Sequence, residues 1–342
     1  MKIKSIILPA LAILVFSMTI SCKRDANVVN VYSGRHYQVD EQLFREFTRQ
    51  TGIRVNLVKA DTDQLINRLE LEGENSPADM FITADAGRMV QAREKGLLQP
   101  MDMANIAQHV PSSLRDPDNF WTGFTKRARV LVYNPERVTP DELSTYEDLT
   151  SDKWEGRILV RSSQNHYNQT LMASIVAAHG REEALNWATK IVENMAQPPR
   201  GNDRDQVKAI AAGMGDIAIV NTYYMGLLLH SPNSEERNIG RQMKIFFPNQ
   251  EDRGTHINIS GAAITAHAPN RDNAQQLIDF LLGQSAQIAF AEENFEYPVN
   301  MNVEWTELLR EWGEFKSDTL PLEKLGKHLH DGMIIFNQAG WN

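Results

Sequence analysis

Tyrosine oxygen is the donor whose placement in this chain points to chemistry. Of the eight tyrosines, two are adjacent, Tyr223 and Tyr224, within Val220-Asn221-Thr222-Tyr223-Tyr224-Met225-Gly226. They follow a short apolar run, residues 217–220, that reads as the end of a buried strand. In a strand their side chains would point to opposite faces. In a turn, or the first turn of a helix, they splay by about 100°, and two phenol oxygens can approach one point. Tyr37 and Tyr167 occupy matching places, each just beyond a predicted strand. Tyr32, Tyr133, Tyr146 and Tyr297 fall in strands or beside prolines and read as packing residues.

A phenol has a pKa of about 10. It is a poor ligand at neutral pH unless a strong Lewis acid displaces its proton. Ferric iron is such an acid, and phenolate is a hard, anionic donor that matches it. Calcium or magnesium would call for carboxylates and carbonyls; zinc or copper would call for cysteine and histidine. His36, next to Tyr37, can add an imidazole or merely hydrogen-bond its loop. His166 reads as a solvent-exposed neighbour of Tyr167. Several phenolates on one cation accumulate negative charge. Lys126, Arg127, Arg129, Arg161 and Arg204 lie near the predicted loops and can offset it or hold a bound anion. Each of them alone also reads as an ordinary surface base.

The elements that must position these residues alternate. Residues 28–33 read as a strand and 40–51 as a helix, with Leu43, Phe44 and Phe47 at helical spacing and Gly52 as its stop. Residues 53–60 alternate as a strand, 62–72 are helical, 78–83 a strand and 86–95 a helix. Further strands are expected at 129–133, 157–160, 217–220 and 257–266, and helices at 167–178, 182–194, 206–212, 273–282 and 285–294. The last forty residues lean towards helix. Strands alternating with helices at this spacing indicate βαβ units and a mainly parallel sheet, in which ligands bind beyond the carboxyl ends of the strands. The length fits two α/β lobes, and the lack of a linker implies that the chain passes between them more than once.

The bulk composition, 42% hydrophobic and 23% charged, is that of a globular protein with a real core. A basic start, an uncharged apolar run over 6–20 and small residues before Cys22 have the layout of a signal peptide over 1–21. Cys22 is the only cysteine, which excludes an internal disulfide. Thr19-Ile20-Ser21-Cys22 resembles a lipobox, so Cys22 is expected to carry lipid and residues 22–27 to form a tether. The chain without residues 1–21 has 33 basic and 44 acidic residues, a net charge of -11. That argues against nucleic acid or an anionic membrane surface as partner.

The chain also resembles the bacterial periplasmic ferric-iron-binding proteins, the substrate-binding components of iron ABC transporters. The resemblance is carried by Val31-Tyr32-Ser33-Gly34-Arg35-His36-Tyr37, Asn75-Ser76-Pro77-Ala78-Asp79 and Gly123-Phe124-Thr125-Lys126-Arg127-Ala128-Arg129. It continues through Arg161-Ser162-Ser163, Tyr167-Asn168-Gln169, Gly201-Asn202-Asp203 and the Tyr223-Tyr224 segment to Phe247-Pro248-Asn249-Gln250, Gly254-Thr255-His256 and Glu296-Tyr297-Pro298-Val299. It implies a two-lobed, venus-flytrap α/β fold of the periplasmic-binding-protein kind, with iron held in the interlobe cleft. The expected lobes are 28–128 with 262–302, and 129–261 with 303–342. Strands near 129–133 and 258–262 would cross between them. The iron ligands would be Tyr37, Tyr167, Tyr223 and Tyr224, with His36 variable. A synergistic anion such as carbonate would complete the site in some members, with Arg127, Arg129 and Arg204 as anion or supporting candidates. A membrane permease is the implied partner, the chain is expected to be a monomer, and the location is the periplasm or cell surface, anchored through Cys22.

Two rival readings start from the same residues. The fold can bind another small solute, such as a polyamine or organic anion, with tyrosines as stacking surfaces. A secreted metal-assisted hydrolase would need an open coordination position and a general base. The sequence carries no His-Glu-x-x-His, Gly-x-Ser-x-Gly, P-loop or Gly-x-Gly-x-x-Gly motif, so no enzyme is expected.

Overall fold

The computed structural model describes residues 27–342; the signal segment and Cys22 lie outside them. In chain order the first elements are β1 (Val28–Ser33), α1 (Gln38–Thr51), β2 (Arg54–Lys59), α2 (Thr62–Glu72), β3 (Met80–Thr83), α3 (Ala86–Glu94), β4 (Leu98–Gln99), α4 (Ile106–His109) and β5 (Thr122–Tyr133). There follow β6 (Ile158–Leu159), α5 (His166–His179), α6 (Arg181–Glu193), α7 (Asp203–Ala211), β7 (Ile217–Asn221), α8 (Thr222–Leu229), α9 (Ser234–Gln242) and β8 (Lys244–Phe246). The last are β9 (Ile257–Thr265), α10 (Arg271–Leu282), α11 (Gln284–Glu293), β10 (Tyr297–Pro298), α12 (Glu307–Glu311) and α13 (Glu323–Ala339).

The strands run in the order β2-β1-β3-β9-β5-β7-β6. β5 links two half-sheets. Its first part, residues 122–128, pairs antiparallel with β9, and its second, residues 129–133, pairs antiparallel with β7 and β8. The expected strand at 129–133 is thus the far end of a longer one. β9 pairs within the first half-sheet from Ile257 onward, so residues 257–261 sit with β5 and β3 rather than with the second half-sheet. Parallel pairing holds for β1 with β2, β1 with β3 and β6 with β7. The other pairings are antiparallel, so the sheet is mixed, with less parallel character than the βαβ spacing implies. Helical crossovers dictate parallel neighbours only where they occur. β5 and β9 reach their neighbours by longer excursions, and their direction leaves no mark in local spacing.

The central strands are apolar on both faces because helices cover both. β3, β7 and β9 are buried along their whole lengths. α1 buries Leu43, Phe44 and Phe47, as its spacing predicts. The strands absent from the sequence reading, β4, β8 and β10, are two or three residues long, too short to show alternation. α9 buries only Gly240, so it has no apolar stripe to read. α13 packs on α5 and α6 on one side and on α3 on the other, tying the two halves together. It touches α3 at backbone range: a β-carbon on Gly326 would lie 2.5 Å from Val90 Cγ1. No helix among the described residues is long and apolar enough to cross a membrane.

Candidate metal centre

Each site tyrosine stands where a strand hands the chain to a helix. Tyr37 is the residue that starts α1, in extended conformation. Tyr167 is the second residue of α5, its backbone N–H donating to the capping side chain of Asn165 at 3.1 Å. Tyr223 and Tyr224 are the second and third residues of α8, directly after β7. The site tyrosines thus stand at three helix N-termini, the positive ends of the helix dipoles.

The phenol oxygens converge. Tyr37 Oη donates to Tyr223 Oη at 3.1 Å, Tyr167 and Tyr223 are 3.2 Å apart, and Tyr37 and Tyr167 3.4 Å. Tyr37 comes from the first half of the molecule and the other two from the second. Tyr223 and Tyr224 do not splay; their rings stack, with centroids 4.1 Å apart and planes 30° apart. The Tyr224 hydroxyl lies beside Tyr223 and against the Arg161 guanidinium. Tyr167 and Tyr223 are buried, whereas Tyr37 and Tyr224 are half-buried. Burial, reinforced by the neighbouring Tyr167 phenol, pushes the Tyr37 and Tyr223 phenols well above their usual range. Arg127 and Arg35 pull Tyr37 the other way. Burial first, then Tyr167 and Asp203, raise Tyr224 as well. Without a cation these phenols hold their protons and share hydrogen bonds; only a strong Lewis acid displaces them.

Beneath the tyrosines lies a dry ionic network. Arg35 grips Asp40 at 2.9 Å through two nitrogens and reaches Glu296 at 3.0 and 3.2 Å. Arg127 donates to Glu296 Oε1, which Arg35 also reaches, at 2.9 Å and to Ser260 Oγ at 2.9 Å. Arg35 stands over the Tyr37 ring at 4.5 Å and Arg127 over the Tyr167 ring at 5.3 Å. Arg129 donates to Asp203 at 2.5 Å and to Asn168 at 2.7 Å, and Arg161 reaches Asp203 at 3.4 Å. Burial alone would raise the Glu296 carboxyl, but Arg35 and Arg127 outweigh it and hold it below the usual range. Arg127 and Arg129 are buried ion-pair members, not the surface bases that each could have been.

Other expected residues land differently. His36 is exposed and makes no hydrogen bond, ion pair or ring contact with the four tyrosines. Far from being exposed, His166 packs on the Tyr167 ring, centroids 4.0 Å apart. Burial, then Arg88, Arg127 and Arg161, lower its pKa to about 3. Arg204 sits on α7, where Glu236 feels its charge, and has no contact with the tyrosines. Lys126 turns away from them, towards the rings of Tyr297 and Phe315. Arg35, Asp40 and Glu296 received no role from sequence reasoning. Glu296 did leave a trace: a lone carboxylate among Phe295, Tyr297, Pro298 and Val299 needs a buried partner. Among the described residues no group of three His, Cys, Asp or Glu side chains could hold a metal ion, so a cation here would depend on phenol oxygen.

The fold is that of a periplasmic binding protein. The chain belongs to the bacterial extracellular solute-binding protein family, whose model matches residues 75–316; this is a family of binding proteins, not of enzymes. It is 48% identical over 313 residues to Iron uptake protein A1 of Synechocystis, covering 92% of this chain and 87% of that one. To the Major ferric iron-binding protein of Neisseria meningitidis it is 28% identical over 280 residues, 80% of this chain and 82% of that one. A Trichodesmium protein solved in complex with iron and citrate ligands superposes with a TM-score of 0.88 at 45% identity, over 92% of this chain and all of that one. The Ferric binding protein from Campylobacter jejuni gives 0.88 at 40% identity with the same coverage.

Proposed function

We propose that this protein captures Fe(III) between two lobes and delivers it to a membrane permease of the ABC type. The observation that carries this reading is the triangle of phenol oxygens 3.1–3.4 Å on a side. Donors about 2.0–2.1 Å from an octahedral cation lie about 2.9 Å from their neighbours. The triangle is a few tenths of an ångström wider, which suits a cation drawing protonated phenols inward as it displaces their protons.

The proposed ligands are Tyr37, Tyr167, Tyr223 and Tyr224. Four phenolates leave two of six octahedral positions for water, a small anion such as carbonate, or the imidazole of His36, which would have to swing in from solvent. Charge balance supports Fe(III) over a divalent ion. Four guanidinium groups (Arg35, Arg127, Arg129 and Arg161) face three carboxylates (Asp40, Glu296 and Asp203), an excess of one positive charge. Ferric iron with four phenolates carries one negative charge, so the loaded site is neutral without a further anion. Because the ligands lie on both sides of the β5 crossing, binding and closure are coupled. The lobes of this reading are 28–128 with 257–302 and 129–256 with 303–342, since residues 257–261 pair within the first half-sheet, and a lipid on Cys22 would hold the chain at a membrane surface.

Titration of the metal-free protein with Fe(III), followed by visible absorption, tests this. A ferric–phenolate charge-transfer band should rise to saturation at one equivalent. A protein that stays colourless, or a band unchanged in the Tyr223→Phe, Tyr224→Phe double variant, would refute the assignment.

A further inference from the structure

Successive residues of a strand face opposite sides, so Lys126 points away from the tyrosines that Arg127 touches. It lines a cavity of about 440 Å³ behind β5, together with Arg115, Ser113 and the segment of residues 317–323 that leads into α13. Lys126 is half-buried against the Tyr297 and Phe315 rings, 5.9 and 5.4 Å from their centroids. Burial holds its ammonium below the usual range. Arg115 is also half-buried, and its Nε is buried without a hydrogen-bond partner. Neither side chain forms an ion pair among the described residues, although the nearby Arg93 and Arg253 are both paired.

Two carboxylates line the same cavity. Asp318 is bound to Arg253 and accepts the Leu320 N–H at 2.9 Å, so its charge is spent. Glu323 sits in the first turn of α13, at the positive end of that helix, and ion-pairs with neither cation. The start of α13 has no side-chain cap; its Lys324 and Leu325 N–H groups donate to the Pro321 and Leu322 carbonyls at 2.9 and 3.1 Å, so a ligand here would be held by the side chains.

A partly desolvated ammonium without a counter-charge is costly. A second cation and a serine hydroxyl on the same cavity make an oxyanion the natural complement, since a guanidinium fork and an ammonium both match its oxygens. We propose that this cavity is a second ligand site, independent of the tyrosines, that takes a small oxyanion of the phosphate or dicarboxylate class between Lys126 and Arg115.

Calorimetric titration of the metal-free protein with inorganic phosphate, and separately with malonate, tests the site. Saturable binding of one anion per chain is expected, weakened at least tenfold by Lys126→Met and by Arg115→Met. Lys126→Arg should keep it, and Tyr223→Phe should leave it unchanged. Binding of phosphate alone, malonate alone or both supports the proposal and names the source. Arg115 is separate from the aromatic cluster, so its variant reads the site even where Lys126→Met disturbs packing. Failure of both anions to bind overturns the proposal. So does binding that survives both substitutions yet is lost in Tyr223→Phe, which would put the anion among the tyrosines.

Discussion

Three phenol oxygens from three separate stretches of chain meet within 3.4 Å of one another, over a floor of buried guanidinium and carboxylate groups. Replacing Tyr223 by phenylalanine removes the oxygen shared by two of those contacts. Fe(III) affinity should fall by at least the roughly 10–100-fold that supporting groups around a metal contribute, as read by competition with a chelator. Tyr32→Phe is the matching control. Its hydroxyl donates to Glu72 at 3.0 Å, so stability should drop by about 1.5–3 kcal/mol with iron affinity intact. Glu296→Gln is expected to act through the floor. It leaves Arg35 and Arg127 buried against a neutral side chain, and breaking such a network costs about 3–5 kcal/mol, measurable by denaturant unfolding. The tyrosines were legible because a phenol beyond a strand end is a local signal. The Arg35–Glu296 pair was not, because its members stand 261 residues apart and nothing near either names the other.

At the scale of elements, α8 carries two of the tyrosines, and its seating depends on one close contact. Phe295, two residues before β10, packs against Gly226; a β-carbon there would be 2.2 Å from Phe295 Cγ. Phe295 holds φ at 57°, a left-handed conformation that costs a bulky residue on the order of 1–3 kcal/mol, and its ring stacks on His230. That strained turn also aims Glu296 at Arg35 and Arg127. Gly226→Ala should therefore destabilise the fold by about 1–3 kcal/mol and, by shifting α8, weaken iron binding as well. Unchanged affinity in a folded Gly226→Ala variant would show that the contact is packing only. The main helices of the first half were legible to within a few residues, since each buries one apolar stripe. The stacking of Tyr223 on Tyr224 was not, because helical spacing fixes where side chains leave the backbone and not where the rings come to rest.

At the scale of the molecule, β5, β9 and α13 join two halves that both contribute to one site. His256, just before β9, adds a pH dependence to their stability. Burial, helped by Arg253 and Arg129, lowers its pKa to about 3, against about 6.5 in the unfolded chain. Between those values the unfolded chain binds the proton and the folded one does not. Stability therefore rises with pH across the window and is lost as pH falls from about 6.5 towards 3, by up to about 1.4 kcal/mol per unit. His256→Gln should flatten that part of the acid-unfolding curve; an unaltered slope would put the loss on the carboxylates instead. The mixed direction of the sheet was hidden in the sequence because β5 and β9 owe their orientation to partners far along the chain. Repeated passage of the chain between lobes was expected from the lack of a linker, whereas which strands would cross came only through the family likeness. The most direct measurement is a crystal structure of the iron-loaded protein, with the metal located by anomalous scattering. One iron bonded at about 2 Å to Tyr37, Tyr167, Tyr223 and Tyr224 is the expected result. Iron bound elsewhere, or bound with Tyr167 and Tyr223 out of bonding reach, would contradict it.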